Sequence, residues 1–314
     1  MTSHDQEDRS FTRAEIEARR HHQQRLSIDR ESSALRMGES TLRDDTRERR
    51  LALLVLGSGS KGNASVVWDR ISGEGLLIDA GICKRDVFGF SEQGGFDLAG
   101  LKGIFITHAH SDHVKNLGVI LRGLNAKGIE VPLFMDERTL RASKELRKAA
   151  EVNAIHFIEA GERISVGAID AIALPTSHDV EASFGLRVEC GSDALGFITD
   201  TGIVLSEALA GLRGVRILGL ESNHDVMMLK NGPYPRMLKE RVGSDRGHLS
   251  NDQAAEVLEA LLCDELETVV ALHISENNNT YRLPVETLRA VVDRAGSHVA
   301  VTCAYQHRPV FITS

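Results

Sequence analysis

The chain has 314 residues, 42% hydrophobic and 26% charged, with a formal net charge of −8 and a pI near 5.9. That suits one soluble domain of ordinary to large size, or two small ones, and argues against a protein that coats nucleic acid by bulk electrostatics. The cysteines, Cys83, Cys190, Cys263 and Cys303, lie far apart with no CxxC pair, which excludes a disulfide framework or a cysteine zinc knuckle and points to a reducing cytoplasm.

Residues 1 to 50 are rich in Arg, Glu, Asp, Gln, His and Ser and show no sustained apolar stripe. Such a segment cannot bury enough surface to offset its ordering, so it reads as a disordered charged N-terminal extension, with Met37 as an internal start candidate. It lacks the pattern of a signal peptide, and the apolar run that follows is too short to cross a bilayer, so no membrane association is expected. From Leu51 the texture changes to short apolar runs between Gly-rich or Asp-rich turns, and 51–314 reads as the folded part of the chain.

Strands are predicted at Leu51 to Leu56, Ser65 to Trp68, Gly75 to Ile78, Gly103 to Ile106, Val131 to Met135 and Ile155 to Ile158. Helices are predicted at Cys83 to Phe90, after the loop at 107–113, and at Glu137 to Ala150. Further strands fit Arg163 to Val166, Ala168 to Leu174, Ser183 to Glu189 and Ala194 to Ile198. A second alternating half follows, with Val215 to Leu218 and Thr268 to Leu272 as strands and Asn251 to Cys263 and Pro284 to Ala295 as helices. Mixed β and α in both halves suggest two packed sheets with helices outside.

Two local basic clusters interrupt the acidic average. Arg141, Lys144 and Lys148 share one face of the predicted helix, near Arg138 and Arg147; Lys230, Arg236, Lys239, Arg241 and Arg246 stand against only Glu240 and Asp245. Either could hold phosphates or be a solvated face.

The chemistry concentrates in Thr107-His-Ala-His-Ser-Asp-His113, directly after the apolar stretch Gly103 to Ile106. A strand ending in an HxHxDH loop can aim His108 and His110 at one metal while Asp112 and His113 turn toward a second, so a dinuclear site is expected. One loop cannot complete two sites. Further donors stand just past apolar strands downstream: His178 in Pro175-Thr-Ser-His-Asp179, Asp200 after Gly196-Phe-Ile-Thr199, and His273 after Val269-Val-Ala-Leu272.

With these residues in place the chain resembles the metallo-β-lactamase superfamily from Leu51 to Ser314, which implies an α/β four-layer αββα sandwich. The resemblance assigns His108, His110 and His178 to the first metal, Asp112, His113 and His273 to the second, and Asp200 to both. It is more specific toward the YycJ/WalJ-type branch, through Leu56-Gly-Ser-Gly-Ser-Lys-Gly-Asn63, Leu77-Ile-Asp-Ala-Gly81, Glu221-Ser-Asn-His-Asp225, Gly247-His-Leu-Ser-Asn251 and His273-Ile-Ser-Glu-Asn-Asn278. That branch implies a phosphodiesterase acting on nucleic acid, DNA rather than RNA, with double-stranded DNA 5′ exonuclease activity. The stretch from Asp200 to His273 is also similar to tRNase Z, which implies that Glu221 and His248 assist protonation of the leaving group.

Two divalent ions about 4 Å apart, zinc or manganese, suit this chemistry, since a hydroxide bridging them near Asp200 can attack phosphorus without a side-chain nucleophile. Asp79, at a strand end, fits an orienter for the His loop. The Gly57 to Asn63 loop lacks the GxxxxGK[ST] spacing of a nucleoside-triphosphate site; Ser60, Lys61 and Asn63 there, His224, and Asn277 after the last ligand are candidate substrate contacts. His224 could instead orient Glu221. A phosphodiesterase for small cyclic esters is the enzymatic alternative, and a non-catalytic metal-binding scaffold the other.

Overall fold

The computed structural model describes residues 49–313. The reading of residues 1 to 50 as a disordered extension falls outside the described residues, except at Arg49 and Arg50. Arg50 is ion-paired to the buried Asp69, with Nη2 2.7 Å from Oδ2.

The run LALLVL has no polar residue in alternation because β1 (Leu51–Gly57) is covered on both faces. Leu51, Leu53 and Val55 point into a core between two sheets, while Ala52, Leu54 and Leu56 point into a second core beneath helices. Beside β1 lie β2 (Ala64–Asp69), β3 (Gly75–Ile78), β4 (Leu101–Phe105), β5 (Leu133–Met135) and β6 (Ile155–Phe157), in chain order. The other seven-stranded sheet runs from β7 (Arg163–Val166) through β8 (Ile169–Pro175), β9 (Phe184–Cys190), β10 (Asp193–Ile198), β11 (Ile217–Glu221) and β12 (Thr268–Leu272) to β13 (Ala300–Cys303). The final strand, β14 (Val310–Ile312), returns to the first sheet and pairs antiparallel with β1.

Helices α1 (Lys84–Gln93), α2 (Ser111–Val114), α3 (Leu117–Asn125), α4 (Glu137–Ala142) and α5 (Lys144–Ala150) belong to the first half. Helices α6 (Ser206–Gly211), α7 (Val226–Asn231), α8 (Arg236–Val242), α9 (Asn251–Leu261) and α10 (Leu283–Arg294) belong to the second. Apolar residues of α1, α3 and α5 join the core on the outer face of the first sheet, and those of α6, α9 and α10 join the matching core on the second. The layers are therefore helix, sheet, sheet, helix, as expected.

Three differences from the sequence reading stand out. The helix predicted over Glu137 to Ala150 is two helices, because Ser143 is extended and its Oγ caps the second by accepting from Leu146 N at 3.3 Å. The break removes the common face expected for Arg141, Lys144 and Lys148. Arg138 and Arg141 instead pair with Asp136 and Glu137. The short helices α6, α7 and α8 and the strands β13 and β14 went unpredicted.

At one end of the sandwich a polar strap joins the sheets. The buried Arg216 binds Asp193 (2.7 Å) and donates to the Leu51 carbonyl (2.7 Å), while Leu51 N donates to Asp193 Oδ2 (2.8 Å). The opposite end receives the carboxyl ends of the parallel runs β3–β4 and β10–β11–β12, the usual place for a site in such sheets.

Candidate metal centre

The HxHxDH loop splits its donors because the backbone changes type within it. His108 and His110 lie on extended chain leaving β4, and His110 is the N-cap of α2, whose single turn carries Asp112 and His113 off in another direction. Packing fixes this loop closely: a Cβ at Gly81 would stand 1.5 Å from the Asp112 carbonyl oxygen, so only glycine fits there. Asp79, Asp200 and His273 all have positive φ (61°, 55° and 53°), among the described residues the non-glycine positions that do so. Each turns the chain sharply at a strand end, the kind of local strain that concentrates at functional sites.

Every expected ligand converges. His110 Nδ1 lies 3.1 Å from both His108 Nε2 and His178 Nε2. Asp112 Oδ2 lies 3.5 Å from His113 Nε2 and 3.7 Å from His273 Nε2. Asp200 stands between the two groups, with Oδ2 3.4 Å from His113 Nε2 and Oδ1 3.9 Å from His178 Nε2 and 3.7 Å from His273 Nε2. The donor atoms of each set, His108/His110/His178 and Asp112/His113/His273, lie within 4.8 Å of one another. His273 Nε2 is buried with no hydrogen-bond partner, an arrangement that costs free energy unless a cation takes the lone pair. Donor types, spacing and this orphan atom all fit divalent metal binding.

The second nitrogen of each ring is held, which fixes the tautomer that leaves the donor free. His113 Nδ1 donates to Asp79 Oδ2 at 2.7 Å, and Asp79 in turn accepts from Thr107 N and Thr107 Oγ1. His178 Nδ1 donates to the Gly247 carbonyl (3.1 Å), His273 Nδ1 faces Glu221 Oε1 (3.2 Å), and His108 Nδ1 lies 3.0 Å from Thr107 Oγ1. Asp79 thus has the orienting position expected of it. Asp79→Asn is expected to weaken metal binding at the Asp112/His113/His273 set by about 10–100-fold and leave the other set intact, as read by metal titration. Equal weakening of both sets would refute this role.

Electrostatics separate the two sets. Burial, with the neighbouring His113, holds His108 well below the ordinary imidazole range, and burial also lowers His110 and His178. Burial would lower His113 too, but Asp79 and Asp200 raise it to about 9; Asp200 and Asp112 likewise hold His273 high against its burial. Without metal at neutral pH the three-histidine set is therefore neutral, whereas the other must release protons to bind an ion. Between about pH 8 and about pH 6, affinity at the Asp112/His113/His273 set should fall up to about tenfold per displaced proton per unit, with little change at the other. Calorimetric titration in buffers of different ionisation enthalpy reads the protons released; identical release by both ions would contradict the asymmetry.

A family model described as beta-lactamase superfamily domain matches residues 76–274. The chain is 31% identical over 242 residues to exodeoxyribonuclease YycJ of Bacillus anthracis, covering 77% of this chain and 89% of that protein. It is 32% identical over 237 residues to exodeoxyribonuclease WalJ of Streptococcus pneumoniae, covering 74% and 85%. The chain belongs to the metallo-β-lactamase superfamily, in its YycJ/WalJ-like branch. The metallo-β-lactamase fold protein YhfI from Bacillus subtilis shares the architecture at a TM-score of 0.62 and 14% identity, over 84% of this chain and 100% of that one. This YycJ/WalJ-like protein is a metal-dependent hydrolase, nuclease- or phosphodiesterase-like in broad class.

Around the YycJ/WalJ-like metal centre the remaining candidates fall at different depths. His248, half-buried, places Nδ1 2.7 Å from Glu221 Oε1, and Glu221 Oε2 accepts from Thr201 N at 2.8 Å. Although burial pushes Glu221 up, His248 beside it holds its carboxyl below the usual range. Asn63 is buried, with Nδ2 3.0 Å from His113 Nε2 and 3.3 Å from Asp112 Oδ2. Ser60 and Lys61 are exposed, Lys61 pairing with Glu276 at 2.5 Å, and Asn277 donates to Tyr234 Oη at 3.2 Å. His224 is buried, uncharged because burial lowers it to about 4, and leaves Nδ1 without a partner.

Sequence reasoning missed Asp179. Its Oδ1 lies 3.4 Å from both His110 Nε2 and His178 Nε2, and its other oxygen is ion-paired to Arg241 on α8. Adjacency to His178 was the available clue; the partner lies far along the chain. Arg246 of the second basic stretch likewise braces the ligand loop, donating to the His178 carbonyl at 3.0 Å.

Proposed function

We propose that this protein cleaves phosphodiester bonds of DNA, removing nucleotides from the 5′ end of a duplex in the cytoplasm, with two divalent ions, zinc or manganese, in the paired donor sets. The observation that carries the reading is the His248–Glu221 pair at 2.7 Å beside two donor sets with Asp200 between them. Kinship to two exodeoxyribonucleases supports DNA as the polymer. When bound, the ions would supply Lewis-acid stabilisation of the phosphoryl oxygens and activation of water at neutral pH.

The chain's own groups do the rest. Glu221 orients His248 through Nδ1, so Nε2 is left to hold the proton that the departing alkoxide needs. The same carboxylate steadies His273, tying the acid to the metal set. Asn63, with its amide nitrogen beside Asp112 and His113, stands where a phosphoryl oxygen would approach that set.

The test is degradation of end-labelled duplex DNA, single-stranded DNA and RNA with Mn²⁺ or Zn²⁺, with an Asp112→Ala/His113→Ala variant alongside. Metal-dependent shortening of the duplex from its 5′ end, absent in the variant, is expected. Intact polymers with metal bound, together with hydrolysis of a small cyclic phosphodiester, would overturn the DNA reading.

A further inference from the structure

The chain has 3 tyrosines, Tyr234, Tyr281 and Tyr305, and all sit in loops tied to the metal-centre loops. Tyr305 belongs to residues 304–309, which cross from β13 of one sheet to β14 of the other. Its carbonyl accepts from Ser58 N at 3.1 Å, and Ser58 Oγ accepts from the backbone N of the ligand His273 at 2.8 Å. Gln306 next to it accepts from Lys61 N (2.9 Å) and donates to the Gly62 carbonyl (2.8 Å). This loop is thus built into the rim of the site.

On that rim two tilted tyrosine rings and a guanidinium come together. Tyr281 and Tyr305 meet with centroids 4.7 Å apart at 52°, and the Arg308 guanidinium carbon lies 3.7 Å from the centre of the Tyr305 ring. Tyr281 is 36% exposed and Arg308 is exposed. Among the described residues Arg308 forms no ion pair with a carboxylate, unlike Arg138, Arg141 and Arg241. An exposed guanidinium lying on a tyrosine, with its charge unneutralised, presents its outer face to a planar, electron-rich partner. Nucleobases are such partners, and aromatic and Arg planes are the usual surfaces on which unpaired bases stack.

We propose that Tyr281, Tyr305 and Arg308 form a stacking platform for a nucleobase of the substrate strand, at the rim of the metal centre. This rests on the nucleic-acid reading of the site. It gives the protein a contact that tolerates any base, as an enzyme that moves along a strand needs, and that phosphate contacts alone would not supply.

The experiment compares the metal-loaded wild-type protein on end-labelled duplexes that differ only in one abasic nucleotide, moved stepwise through the terminal positions. An abasic nucleotide at the stacking position should raise KM about tenfold. Tyr305→Leu/Arg308→Ala should raise KM on the intact end to the same level and abolish the abasic penalty, while Tyr305→Phe retains it. A wild-type KM indifferent to abasic nucleotides at every position overturns the platform while the nuclease reading stands. A folded leucine/alanine variant that still discriminates overturns it too. If the variant does not fold, the wild-type series decides alone. A wild-type protein that leaves all DNA intact removes the nucleic-acid reading and the platform with it.

Discussion

With an ion in each donor set, Asp200→Asn is expected to release one of them and to cost about 10²–10⁴-fold in phosphodiester hydrolysis. Asp200 is buried, and although burial pushes its carboxyl up, His273, His113 and His108 hold it well below the usual range. It is thus an anion among imidazoles, with one oxygen facing His113 and the other facing His178 and His273. An amide keeps the shape and removes the charge. Losing one charged partner in a buried cluster costs about 3–5 kcal/mol, which converts to that range in affinity. Metal analysis after gel filtration and the rate on labelled duplex read the two consequences, and a melting curve establishes folding. Retention of both ions at full rate would eliminate Asp200 as the shared ligand; loss of rate in a folded variant would eliminate the scaffold alternative.

The second large effect belongs to His248. Its ring is 19% exposed, lies outside the two metal trios, although Asp200, Glu221, His273 and His248 also stand close enough to form a donor group, and is locked to Glu221 through Nδ1. His248→Ala should therefore keep both ions while kcat on a natural phosphodiester falls about 10²–10⁴-fold. An ester whose leaving group departs as a stable anion, such as a p-nitrophenyl phosphodiester, needs no proton donor, and its hydrolysis should change little. Glu221→Gln should show the same contrast with weakened metal binding added, because Glu221 also faces His273 Nδ1 at 3.2 Å. Equal losses on both esters in His248→Ala would assign the residue to substrate binding and not to proton transfer.

The metal centre was legible because the HxHxDH loop and each ligand outside it follow an apolar strand run, and a strand end is a position that sequence displays. The runs Gly103 to Ile106, Ala194 to Ile198 and Val269 to Leu272 are apolar on both faces, so the polar residues that follow, Thr107-His108, Thr199-Asp200 and His273, mark the sheet's edge. What surrounds the ligands was harder to read. Asp179 acquires its role from Arg241, and Glu221 touches His248 and His273 together, contacts set by how loops fold over the site and not by local pattern. Among the elements, α7 and α8 escaped because at six and seven residues they are under two turns long, begun by the Asp225 cap and by Pro235, too short to show a repeating apolar stripe. Strand β14 is a short apolar segment that becomes a strand only by pairing with β1. Ser143 did carry a readable stop, a hydroxyl placed to cap a new turn, within a stretch whose helix formers masked it.

Each donor set draws on both sheets. His108 and His110 come from the first and His178 from the second; Asp112 and His113 come from the first and His273 from the second. An ion in either set would be a further cross-link between halves that are joined at the mouth by single hydrogen bonds such as His273 N to Ser58 Oγ and strapped at the far end by Arg216, Asp193 and Leu51. Mass action then makes the ions part of the fold's stability: free metal about 100-fold above its dissociation constant adds about 2.7 kcal/mol per independent site. Chelation should open the sandwich from the mouth inward, with hydrogen exchange accelerating first at the carboxyl ends of β4 and β12 and last beside Arg216. A cell that withdraws metal would silence this protein and loosen it in a single step, leaving the open form to its proteases.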